Sequence, residues 1–105
     1  SQAPPRTPAM RHAYLVTYDI SDPKRLRAVY KLMLGWGEHV QLSVFHCELT
    51  PRELVELKDA LTGVIEPSED QVLFGLLGLA EGRGRSAVES LGRPYVDPER
   101  LALVV

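Results

Sequence analysis

Residues 12–20, HAYLVTYDI, alternate strictly: Tyr14, Val16, Tyr18 and Ile20 lie on one side and Ala13, Leu15, Thr17 and Asp19 on the other. β-Branched and aromatic residues at period two predict a strand, and apart from Asp19 both of its faces are apolar. Such a strand must be covered twice. The chain has 105 residues, room for one domain and one layer of helices on a sheet. The second face is therefore expected to meet a partner, most simply a second copy in a symmetric homodimer.

The rest of the chain supplies that layer. Asp22 before Pro23 reads as a helix N-cap with proline at the first helical position, and Leu26, Val29, Tyr30 and Met33 then recur at helical spacing as an inward face until Gly35 and Gly37. Residues 40–49 (VQLSVFHCEL) predict a second strand. Thr50, Pro51 and Glu53 predict a capping-box start for a helix with Leu54, Leu57, Leu61 and Val64 inward, stopping near Gly63. Residues 70–77 predict a third strand, and 87–91 and 101–105 are short apolar segments read as further strands. The expected fold is α+β: a ferredoxin-like βαββαβ sandwich, with an antiparallel sheet, both helices on one face and an extra C-terminal strand. Residues 1–9, with three prolines and no apolar period, are expected to be a disordered extension, leaving 10–105 as one domain whose tail adds a strand at the dimer partner.

The composition, 45% hydrophobic and 25% charged, is that of a globular protein. No apolar run suits a membrane span or a signal core, so a cytoplasmic location is expected. The single cysteine, Cys47, leaves no internal disulfide and no Cys-rich zinc site. The net charge of −2 hides an uneven distribution: between residues 23 and 34 the charged side chains are Lys24, Arg25, Arg27 and Lys31, whereas residues 48–70 hold seven acids against two bases.

Tyr18-Asp19 at a strand end, the basic run DPKRLRAVYKLM, Gly35-Trp36-Gly37, and Gln41, Ser43, Val44 and Phe45 in the pattern Q-x-S-V-F together resemble the CRISPR-associated Cas-two (Cas2) family. The likeness covers residues 10–91 and departs from the family at Leu42, where many members carry an aromatic residue, and at His46, where many carry glutamate. It implies a ferredoxin-like homodimer that bridges units of the Cas-one integrase during spacer acquisition. It also implies a metal-dependent endonuclease acting on RNA or DNA.

Those two roles ask for different residues. A carboxylate at Asp19, on the Ala13/Leu15/Thr17 face, is costly to bury unless it is paired or binds a metal. One Asp19 from each of two subunits can share a magnesium or manganese ion across a two-fold axis, where the ion would activate water and neutralise a scissile phosphate. Tyr18, Ser21 and Asp22 are candidates to supplement the site, as are Ser43 and Phe45, which also read as core or dimer-face residues. Lys24, Arg27 and Lys31 fall at i, i+3 and i+7 with Arg25 beside them, a stripe able to track a phosphate backbone or to be simply solvated. Arg83 and Arg85 are a second candidate contact; their glycine-rich segment lacks the ending of a nucleotide-binding loop. Ser43 and Cys47 share a strand parity that His46 does not, so no nucleophile–histidine dyad forms within the strand. Trp36 reads either as a core anchor or as a base-stacking ring.

Three readings remain open: a metal-dependent phosphodiesterase using Asp19, a non-catalytic dimeric adaptor on DNA that does not need it, and a ferredoxin-like regulatory domain with a ligand at its dimer interface. One acid per chain with no evident general base is a thin constellation for catalysis.

Overall fold

The alternation of residues 12–20 places β1 (His12–Asp19) inside a four-stranded antiparallel sheet, between two neighbours. The computed structural model describes residues 10–82, 84 and 87–95. The predicted extension 1–9, Arg83, Arg85 and the predicted strand 101–105 lie outside them. The elements follow as α1 (Pro23–Leu34), β2 (Glu38–Gln41), β3 (Val44–Leu49), α2 (Pro51–Thr62) and β4 (Gln71–Leu79), with strand order β2-β3-β1-β4. This is the expected ferredoxin-like arrangement.

Its third and fourth elements are reached differently from the sequence expectation. The single strand predicted over 40–49 is a hairpin, β2 and β3, turning at Leu42 and Ser43. Leu42 sits at φ 33°, in the left-handed region that disfavours a branched side chain. A turn with no Gly, Asn, Asp or Pro gives no warning of itself in the sequence. The strand expected at 70–77 runs two residues further, through a register shift opposite Ala13/Tyr14 at which Gly78 takes φ 131°. Residues 87–91 form no strand.

Both helices begin where their caps predict. The Asp22 carboxylate accepts the Arg25 N–H at 2.9 Å. At α2 the capping box closes in both directions, Thr50 Oγ1 accepting from Glu53 N at 3.1 Å and Glu53 Oε1 from Thr50 N at 2.9 Å. Arg11 pairs with the same Glu53 carboxylate, tying the entry of β1 to α2. The core lies between the sheet and the two helices: Val16, Tyr18, Phe45, Cys47 and Leu49 meet Val29, Met33, Leu57 and Leu61. α1 buries a narrower stripe than its sequence predicts, because Val29 and Met33 are fully buried while Leu26 and Tyr30 remain 41% and 36% exposed.

The opposite face of the sheet carries Leu15, Thr17, Val44, His46 and Leu73, which the register places side by side. Leu73 is 54% exposed. Among the described residues this apolar face, which β1's alternation foretells, is left partly exposed.

Candidate functional site

β1 ends at Asp19, which is exposed, and among the described residues its side chain has no hydrogen bond or ion pair. Alternation puts it on the uncovered face, opposite buried Tyr18 and one step before buried Ile20. The chain is thus pinned on both sides of an unpartnered carboxylate.

The pinning is completed by Asp70, from the loop between α2 and β4. Its buried carboxylate accepts the Ser21 N–H at 2.9 Å, the Ser21 hydroxyl at 3.0 Å, the Glu66 N–H at 2.8 Å and the Arg25 Nε at 2.8 Å. Arg25 reaches Glu69 as well, at 2.9 Å. Asp70 therefore clasps the β1–α1 turn and the first turn of α1 to a segment 45 to 49 residues away. The Arg25 guanidinium holds the Asp70 carboxyl well below the usual carboxylate range, the hydrogen bonds from Ser21 and Glu66 adding to it against the opposing effect of burial.

No motif in the sequence marks Asp70 as a site residue. The only local signal was an acid standing directly before an apolar strand, after the turn formers Pro67 and Ser68. α1 itself carries no carboxylate to pair Arg25 beyond its cap Asp22; the partners come instead from the α2–β4 loop. The other three cations of the stripe, Lys24, Arg27 and Lys31, are exposed on the outer face of α1.

None of the remaining candidates has a hydrogen bond to the Asp19 side chain. Tyr18 stacks on Phe45 with ring centroids 6.2 Å apart, and both are buried beneath the helices. Burial, with Tyr30 nearby, raises the Tyr18 phenol above its ordinary value. Ser43 lies in the hairpin turn, where its carbonyl accepts the Tyr18 N–H at 3.1 Å. Asp22 is engaged as the α1 cap and Ser21 in the clasp. Trp36 packs partly buried against the core. Among the described residues no three His, Cys, Asp or Glu side chains gather in a way that could hold a metal.

Cys47 is fully buried, and burial, with Glu38 contributing, pushes its thiol up to about 12. Close packing reinforces this, since a Cβ on Gly37 would stand 2.5 Å from Cys47 Sγ. Cys47 is expected to be inert to a disulfide reagent at pH 8 in the folded protein and to react fully in denaturant; rapid reaction of the native protein would contradict this burial.

The family model described as "CRISPR associated protein Cas2" matches residues 11–78, which span the six elements to the end of β4's register shift. The chain belongs to the CRISPR-associated Cas2 family. It is 46% identical over 94 residues to the protein named CRISPR-associated endoribonuclease Cas2 1 of Rhodospirillum rubrum, covering 90% of this chain and 91% of that one. A Geobacter sulfurreducens protein named CRISPR-associated endoribonuclease Cas2 is 36% identical, covering 91% of this chain and 100% of that one. Among solved structures, Streptococcus pyogenes Cas2 at pH 6.5 superposes with a TM-score of 0.67 at 44% identity, covering 76% of this chain and 99% of that one. The Cas2 fold thus extends over the six elements described above. Among the described residues no helix is long and apolar enough to cross a membrane.

Proposed function

We propose that this Cas2 chain is a cytoplasmic, homodimeric nucleic-acid-binding subunit of CRISPR antiviral defence, an endonuclease that hydrolyses phosphodiester bonds and takes part in spacer acquisition. The observation that carries the reading is the exposed carboxylate of Asp19, unpartnered among the described residues, held on a turn fixed by Asp70 and five residues ahead of the exposed cation stripe that opens at Lys24. The names of the relatives from R. rubrum and G. sulfurreducens support RNA as a substrate. A second copy on the uncovered sheet face would bury Leu15, Val44 and Leu73 and add a second Asp19.

A magnesium or manganese ion fits this donor set in a limited way. Asp19 supplies one hard oxygen ligand, suitable for an ion that keeps most of its water, and the other ligands would come from water or the second copy. When bound, such an ion activates water and offsets the charge of a phosphate. Lys24, Arg27 and Lys31 hold the backbone of the strand by charge alone, which fixes its register and reads no sequence.

The second reading, a non-catalytic dimeric adaptor bridging Cas-one integrase subunits on DNA, is favoured by the solitary character of Asp19, which among the described residues belongs to no metal-holding group of three His, Cys, Asp or Glu side chains. Labelled RNA and duplex DNA incubated with magnesium, manganese or a chelator separate the two. Metal-dependent cleavage supports the nuclease; binding without cleavage under every condition leaves the adaptor.

The cation stripe has its own test. The triple variant Lys24→Ala/Arg27→Ala/Lys31→Ala is expected to weaken binding of all sequences alike and to flatten the plot of log affinity against log salt by about 0.7 per lost contact, about 2 in all for single strands. An unchanged slope would show that the stripe is only a solvated helix face.

A further inference from the structure

Helical spacing puts Tyr30 on the inward face of α1; in the structure it is 36% exposed on the flank of the helix, adjacent around it to Arg27. Its ring meets His39 of β2 edge-on, centroids 5.3 Å apart and planes at 88°. Behind both stands Phe45, fully buried, 5.8 Å from Tyr30 and 5.1 Å from His39. The His39 ring is further fixed by a 2.7 Å hydrogen bond between its Nε2 and the Leu42 carbonyl in the hairpin turn. Two exposed rings are therefore held by a buried third and by the backbone, at the border of a helix face carrying Arg27 and Lys31.

An aromatic surface that is rigid before binding loses little side-chain entropy when something stacks on it, and cations alongside supply the attraction for a backbone. Every unpaired base offers a π-face, whereas bases inside a duplex are stacked on one another and cannot reach a side chain on the outer surface. We infer that Tyr30, backed by His39 and Phe45, is a stacking platform for a base of single-stranded nucleic acid whose phosphates lie along Arg27 and Lys31. This assignment rests on the nucleic-acid-binding part of the proposed function and is independent of cleavage.

The test compares an oligouridine with an abasic strand of equal length and charge, by fluorescence anisotropy in chelator, so that cleavage plays no part. Wild-type protein is expected to bind the oligouridine about fivefold or more tightly than the abasic strand. Tyr30→Leu, which keeps apolar contact with Phe45, is expected to bring that ratio close to one, and Tyr30→Phe to restore it. Arg27→Ala and Lys31→Ala should weaken both strands equally and leave the ratio intact. Equal binding of the two strands by wild type overturns the platform while leaving nucleic-acid binding by charge in place, and needs no variant to fold. A ratio unchanged in Tyr30→Leu also overturns it. So does a Tyr30→Leu protein whose only change is its oligomeric state by size-exclusion, which would assign the rings to a second copy. Binding of neither strand at low salt overturns both the platform and the reading it rests on.

Discussion

Asp19→Asn is expected to lower metal-dependent cleavage about 100-fold or more while leaving the protein folded and bound to nucleic acid. The size follows from the chemistry. A neutral amide cannot replace an anionic oxygen ligand of a hard cation, and every 1.4 kcal/mol of lost transition-state stabilisation is about tenfold in rate. The specificity follows from the structure. Asp19 is exposed, and its side chain has no partner among the described residues, so its replacement should shift the melting temperature by no more than about 2 °C. Removing a negative charge beside the cations should leave affinity unchanged or slightly higher. Rates measured with magnesium, manganese and chelator, beside a melting curve and a binding isotherm, check all three. Equal cleavage by wild type and variant would place any activity elsewhere and favour the adaptor.

Asp70→Ala is expected to be strongly destabilising, lowering the melting temperature by roughly 10 °C or more. Two effects add. The variant leaves the Ser21 and Glu66 N–H groups without their acceptor, and it strands the Arg25 guanidinium beside a polar turn with only Glu69 to pair it. Arg25→Met removes one partner and leaves the backbone donors satisfied, so its effect should be smaller. The double variant should fall short of the sum, because both changes break the same contact.

The same clasp sets an acid limit on the fold. The folded-state pKa of Asp70 lies below that of an unfolded aspartate, about 3.9, so its contribution is complete above that value and is lost as the pH falls toward the folded-state pKa. The Glu53 carboxyl is lowered likewise, chiefly by the Thr50 backbone N–H, and acts in the same direction. Wild-type stability should therefore drop steeply below about pH 4, and Asp70→Asn should flatten that drop. A variant that melts with the wild-type pH dependence would show that the clasp contributes nothing to it.

The elements themselves were legible in the chain. Period-two alternation specified β1, and Asp22-Pro23 and the Thr50/Glu53 capping box specified where both helices start, because these signals depend on neighbours within a turn or two. The two-faced apolarity of β1 also foretold an uncovered sheet face. The position of Asp19 at a strand end and the cation stripe on α1 were read from spacing alone.

What only the tertiary structure decided depends on residues distant in sequence. The hairpin at Leu42 and Ser43 is imposed by pairing β3 with β1 and β2, which overrides the poor turn propensity of leucine. Tyr30 is left at the rim of the contact because Val29 and Met33 form the fully buried centre of the α1 face, a packing angle that helical periodicity does not contain. Tyr18 and Phe45 fell on the far side of the sheet from Asp19. Asp70 gained its role because folding brings a loop 45 residues downstream against Arg25; a buried carboxylate is defined by its partners, and partners at that separation are settled by topology.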